Sequence, residues 1–246
     1  MLKFSPANNK LKGLYLTSLP TIYKGYVYSF NLLAGYSCPF ADKCLSKVVN
    51  GKIVDGPNTE FRCFSASIEA TFPSSRKIRE HNFNILKNKS MLEMFDLISN
   101  SMPDNLGICR IHDDGDFFNY NYMLAWSRIA IANPDKLFYA YTKSLPYWIR
   151  ARYYFDSIPN FILTASYGGK HDNLIKHHKL RSVKVVYHPN ETDLIIDHDD
   201  SNAADPQLRN KDFALLIHGK QKPGSHASIA IKKLKREGIK FSYGKL

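Results

Sequence analysis

Three cysteines fall where thiol chemistry could be shared. Cys38 and Cys44 sit in one loop, LLAGYSCPFADKCLSK (32–47), and Cys63 follows in EFRCFSAS (60–67). Gly35 and Pro39 shape a tight loop whose amides can point at sulfur. Cys63 opens a helix, where unpaired N–H groups and the positive end of the dipole favour a thiolate. The chain has only four cysteines, so the clustering calls for a reason. Three readings are open: separate buried thiols, a structural zinc site, or an iron–sulfur cluster. Zinc sites usually draw on close C-x₂₋₄-C pairs, whereas five residues separate Cys38 from Cys44. A cluster accepts thiolates from a loop and a helix start. Cys109, in LGICRIH, shares a strand face with Ile111 by period-two alternation, and reads as a small core residue before a fourth ligand. Three ligands on a [4Fe-4S] cluster would leave one iron open to a small molecule.

ICRIHDDGDFFN (108–119) is the second dense segment. Alternation places Arg110 and His112 on the interior face, with Asp113, Asp114 and Asp116 following and Gly115 allowing a sharp turn. Such a group could bind a metal, transfer protons or hold an amine, or it could simply be an Asp-Gly turn capping the next helix. Arg110, His112, Asp114 and Asp116 are the candidate catalytic groups. Similar polar residues end other strands: Thr142 and Lys143, Ser166 in SYGGK, and His218 and Lys220 in LIHGKQKPGSH. With Gly115 and Asp116 they are candidates for holding a cofactor or an anionic group. LIIDHDDSNAADP (194–206), with four acids and His198, is either a cover over the site or a solvated loop.

The elements that must position these groups alternate in type. Predicted strands are 25–33, 106–112, 136–142, 161–166, 183–188 and 213–219. Predicted helices cover 67–87 (broken near Pro73), 91–99, 120–132, 145–155, 171–180 and 225–238, the last stopped by Gly238. Alternation implies parallel pairing through right-handed crossovers. Because polar residues crowd the C-terminal strand ends, the expected fold is an α/β incomplete (β/α)6 barrel with its site on that face. No repeat or linker divides residues 1–246, so a single domain is expected. It comprises an N-terminal arm (1–24), a cysteine loop (34–64) and a lid loop (189–212).

Composition narrows the setting. The net charge is +12, from 34 Lys and Arg against 22 Asp and Glu, which favours polyanions such as nucleic acid or an acidic host protein. No apolar run has membrane-spanning length, and the start lacks a secretory apolar segment, so a cytoplasmic protein without a membrane partner is expected. In that reducing compartment thiols or metal ligands are favoured over disulfides.

LAGYSCPFADKCLS, EFRCFSASIEATFPSSRKIREHN, RIHDDGDFF, LFYAYTKSL and FALLIHGKQKPGS together resemble a tailed-bacteriophage family, the gene product 88-like proteins, from about residue 13 to 238. The resemblance implies a viral protein made in the infected bacterial cytoplasm and implies no settled activity. Its pattern maps onto Cys38, Cys44, Cys63, Arg110, His112, Gly115 and Asp116. In layout the chain also resembles the radical S-adenosylmethionine superfamily. That likeness implies three cysteines after the first barrel strand, a four-iron cluster, and S-adenosylmethionine at the open iron beside an unknown small-molecule substrate. The superfamily's compact C-x₃-C-x₂-C run is not matched, since these cysteines spread from 38 to 63. A non-catalytic, metal-stapled binding module is the rival. A metal-dependent nuclease using His112, Asp113, Asp114 and Asp116 is a further one.

Overall fold

The computed structural model describes residues 1–8, 11, 14 and 23–241. Part of the expected N-terminal arm (9, 10, 12, 13 and 15–22) lies outside the described residues. The central sheet has seven strands in the spatial order β1-β2-β5-β6-β7-β8-β9. These are β1 (Phe4–Pro6), β2 (Tyr26–Phe30), β5 (Leu106–Ile111), β6 (Leu137–Thr142), β7 (Phe161–Ser166), β8 (Ser182–Val186) and β9 (Phe213–Leu216). The last six pair in parallel, each beside its successor, and β1 joins the β2 edge antiparallel. A separate hairpin, β3 (Ser46–Val49) and β4 (Lys52–Asp55), rises inside the cysteine loop. The molecule is therefore a mixed α/β fold around a mostly parallel sheet, and all six expected strands are present.

Local chemistry sets the helix boundaries. α1 (Phe64–Thr71) gives way to α2 (Pro73–Leu86), with Pro73 in the first turn, where its missing N–H has no helical partner to lose. α3 (Met91–Ser99) starts with a reciprocal capping box between Ser90 and Glu93. The Asn119 side chain accepts from the Tyr122 amide to start α4 (Tyr120–Ala132). The expected helix over 145–155 is two pieces, α5 (Leu145–Arg150) and α6 (Arg152–Asp156), because Ala151 leaves helical geometry at φ −136°. That over 171–180 shortens to α7 (Asn173–His177) before Lys179 turns left-handed. After α8 (Ser201–Ala204), α9 (His226–Arg236) begins on a Ser225 cap and carries Lys233, Lys235 and Arg236 where the dipole is negative.

The two faces of the sheet carry different cores. Helices α2 to α7 cover one face, packing Trp126, Phe155 and Ile98 onto Phe30, Cys109, Ile111, Phe138 and Ala140. The other face, with Val27, Ile108, Tyr139, Ile162 and Phe213, is covered by Leu11, Leu14 and the alanines of α8. Residues 194–206 are not a solvated loop: Asp200 and Ala204 are fully buried against the sheet. No helix among the described residues is long and apolar enough to cross a membrane.

Candidate functional site

The cysteine loop is folded by a glycine and held by its neighbours. After β2, Gly35 takes φ +74°, and a side chain there would place Cβ 2.6 Å from the Ser46 carbonyl. This close approach returns the chain past Cys38 and Cys44 into the hairpin. The backbone of the loop then docks on the turn after β7. Asp42 and Lys43 amides donate to the Gly168 carbonyl at 3.2 and 2.9 Å, and Lys170 donates to Phe40 O at 2.9 Å. The return leg ends at Cys63, the residue preceding α1. There the turn after β9 clasps it: Arg62 N donates to Gln221 Oε1 at 2.7 Å, while Gln221 Nε2 donates back to Arg62 O at 3.1 Å. Loops after β2, β7 and β9 thereby fix one another at the C-terminal end of the sheet.

They enclose a cavity of about 160 Å³ whose walls include all three of Cys38, Cys44 and Cys63. Of the sequence-derived candidates, Arg110, His112, Gly115, Asp116, Thr142, Lys143, Ser166 and His218 line the same cavity. Cys109, Asp114 and Lys220 do not. Cys109 lies fully buried in the helix-side core, as the strand alternation implies. Lys220 lies at a neighbouring cavity, its backbone tied to the Ser67 hydroxyl.

Burial pushes the Cys38 thiol well above its ordinary range, reinforced by Asp116 and by the other two cysteines, with the Gly35 amide opposing. Burial, followed by Cys44, lifts Cys63 to about 11 against the hydrogen bonds of Ser65. Lys143 supplies the compensating cation. Burial disfavours its ammonium, but Cys44, Asp116, Cys63 and Asp172 outweigh that penalty and raise its pKa. Its Nζ donates to Ser166 Oγ at 2.7 Å, which holds the charge at the cavity wall.

The acidic segment divides into three roles. Asp116 is held by three hydrogen bonds: it accepts from Thr142 Oγ1 at 2.6 Å, Phe117 N at 2.7 Å and Lys143 N at 2.9 Å. It therefore locks the turn after β5 to the end of β6. Asp113 pairs with Arg110 at 3.0 Å. Asp114 leaves the cysteine cavity to pair with Arg79 of α2, which also contacts Glu69 of α1 at 3.4 Å. Glu69 in turn accepts from the Ala34 amide at 2.8 Å, so this buried ion network anchors the start of the cysteine loop. Burial raises Asp114 to about 7, opposed by Arg79.

His112 departs from the interior placement that alternation gives it. Its φ of +64° breaks the strand pleat, so the ring packs edge-on to Phe117 and Nε2 lies 3.0 Å from the Tyr122 hydroxyl of α4. Burial, then Arg110, lowers its pKa to about 3, so the ring is neutral at physiological pH. Arg110 keeps its expected direction. Its Nη1 meets Asp200 at 2.6 Å, and Tyr139 and Tyr141 both donate to that carboxylate at 3.0 Å. The Arg110 Nε is buried without a hydrogen-bond partner. Asp200, Arg79 and Glu69 were not singled out from sequence; each is defined by a partner at least ten residues away, and no local motif marks such pairs.

Among the described residues, no group of three or more His, Cys, Asp or Glu side chains is arranged to hold a single metal ion. The chain resembles the Gene 88 proteins of mycobacteriophages L5 and D29, each 29% identical over 118 residues. Those alignments cover 44% of this chain, with 44% of the L5 protein and 43% of the D29 protein. The chain thus spans less than half the length of the curated relatives it matches. No solved structure matches. The profile of the family described as Gene product 88 matches residues 2–237, nearly the whole fold described above, and supports a bacteriophage origin. The chain belongs to the Gene product 88 family.

Proposed function

We propose that the protein binds an iron–sulfur cluster of the [4Fe-4S] type through Cys38, Cys44 and Cys63, in the cytoplasm of the infected host. The observation that carries this reading is the shared cavity: three thiols from a loop and a helix start, spread from residue 38 to 63, line one small space beside the half-buried Lys143. Soft thiolate donors suit iron–sulfur clusters as well as zinc, and the wide spacing of these three fits a cluster better than the close pairs of zinc sites. In a cubane each thiolate meets a different iron, so the sulfurs need not crowd one point. Binding requires the thiols to lose protons that burial makes them retain, so loading releases protons and strengthens with rising pH. Lys143 offsets the negative charge that remains. Sequential parallel strands with the cavity at their C-terminal ends support reading the sheet as an incomplete barrel.

A narrower reading adds a small molecule, S-adenosylmethionine or a compound like it, at an iron the protein leaves open. Such a cofactor would supply radical chemistry when bound. The unpartnered Arg110 Nε would hold its carboxylate. Thr142, Ser166 and His218 complete the polar wall. Asp116 and His112 would act by positioning, since one is tied by three hydrogen bonds to the β5 and β6 turns and the other is neutral and packed on aromatics. The nuclease reading is weakened by the same contacts, which commit Asp114 to Arg79 and Asp116 to the β6 turn. The binding-module reading draws on the net charge of +12, which suits nucleic acid or an acidic host protein.

Anaerobic purification tests the main reading. Brown protein with broad visible absorption and about four irons per chain is the expected result. Colourless protein carrying stoichiometric zinc overturns it.

A further inference from the structure

Beside the cysteine cavity lies a larger one, of about 580 Å³, walled by β1, the end of β2, α1 and α2. The two spaces share Phe64, Asp113 and His218, and the Phe64 and His218 rings lie 5.0 Å apart. A volume of this size is that of a small-molecule site, roughly 300–1,000 Å³. Its chemistry is uneven in an informative way. Phe64, Ile68 and Ile78 make an apolar strip. Neutral hydrogen-bonding groups make up much of the remaining wall, among them Ser29, Ser67 and Thr71. The charged groups on the wall balance, two carboxylates (Asp113 and Asp114) against Arg79 and Lys220. One of those carboxylates is under-satisfied: Asp114 is 2% exposed, one oxygen pairs with Arg79, and Oδ1 makes no hydrogen bond of ordinary geometry, with only the Ser65 hydroxyl acting on the carboxylate. A buried acceptor short of donors at a cavity wall is costly and attracts a further donor.

We propose that this second cavity binds a neutral, hydroxyl-bearing molecule of nucleoside size, with a ring face on the Phe64–Ile68–Ile78 strip and a hydroxyl or amino donor toward Asp114. The neutral charge balance disfavours a phosphate. The apolar strip gives a flat ring an advantage over an all-polar sugar. The inference rests on the second cavity alone, so its failure leaves the cysteine reading untouched.

The test is ligand-observed NMR on the full chain with adenosine, uridine and methyl glucoside, alongside AMP. The expected result is binding of a nucleoside, AMP no more than tenfold tighter, and loss of the signal in Ser75→Trp. Ser75 is half-buried at the cavity wall on α2, so an indole there occupies the space, and because Arg79 lies one turn further on the same face the thermal midpoint is measured alongside. Ile78→Trp serves in the same way should the first variant lower the thermal midpoint. Binding by none of the probes overturns the proposal, as does binding of methyl glucoside alone. AMP more than tenfold tighter than adenosine overturns the neutral-ligand claim, and undiminished binding in folded Trp variants overturns the location.

Discussion

Two neighbours on β5 show how differently the sheet treats its faces. Cys109 points into the helix-side core among Trp126, Phe138 and Ile111, with the Tyr122 phenol nearby. Arg110 points the other way, to Asp200, Asp113 and the ring of Tyr141, with the Tyr139 hydroxyl bonded to the same Asp200. One face is stabilised by removing apolar surface from water, which is tolerant of detail. The opposite face keeps a charge out of water and depends on every partner staying in place. The same contrast separates the four cysteines: one is a packing residue, and three line a cavity whose walls are tied by backbone hydrogen bonds.

Breaking the polar face therefore has the largest expected effect. Asp200→Ala removes the acceptor of Arg110 and two tyrosines at once and leaves the buried cation with Asp113 and the Tyr141 ring. A loss of about 3–5 kcal/mol in urea unfolding is expected. If the variant loses less than the apolar truncation Ile98→Ala, which removes only packing, the polar face is not the fragile one.

Acid probes the seam between the faces. His112 has a folded pKa of about 3 against an ordinary 6.5, a depressed value. Its contribution is present above pH 6.5 and is lost as pH falls toward 3. At pH 4.5 the loss from this one group is about 3 kcal/mol. His112→Asn suits the left-handed backbone and cannot take up the proton, so its stability should fall less between pH 7 and 4.5. Parallel acid losses in the two proteins would remove His112 from the account.

The faces were legible in the sequence to different degrees. Apolar runs such as LFYAYT and FILTAS announced their strands, and Cys109 sharing a face with Ile111 was readable from alternation alone. Alternation failed one residue later, at His112, because a left-handed residue resets which side the next chain faces. The β3–β4 hairpin carried a usable signal, Asn50-Gly51 between the β-branched pairs Val48-Val49 and Ile53-Val54 with Lys52 intervening, and with both turn residues at positive φ. β1 carried none, since three residues at a sheet edge have no periodicity. Within the site, the three cysteines and Lys143 were visible as residue types, whereas the Arg79–Glu69–Asp114 network and the Asp200 pairing exist only through contacts between distant segments.

Gly115 tests whether the cysteine loop depends on the β5 turn. It sits at φ +94°, and a Cβ there would lie 2.6 Å from Ser37 Oγ and 2.8 Å from Leu32 Cβ. Gly115→Ala should lose about 2 kcal/mol from strain and crowding, and should reduce iron loading because the displaced segment leads directly to Cys38. Full loading in the destabilised variant would show that the loop holds its shape without that contact.

The smallest effects discriminate most sharply between the cysteines themselves. Cys109→Ser places a hydroxyl in a largely apolar core and should lower stability by about 1–2 kcal/mol while leaving iron content unchanged. Cys63→Ser, at a half-buried helix start beside Ser65, should change the stability of the metal-free chain by less than about 1 kcal/mol and lower iron content severely. The two measurements move in opposite directions only if one cysteine packs and the other binds. Equal iron content in both variants would make Cys63 a packing residue too, and the shared cavity would then have to be explained by its lysine and arginine alone.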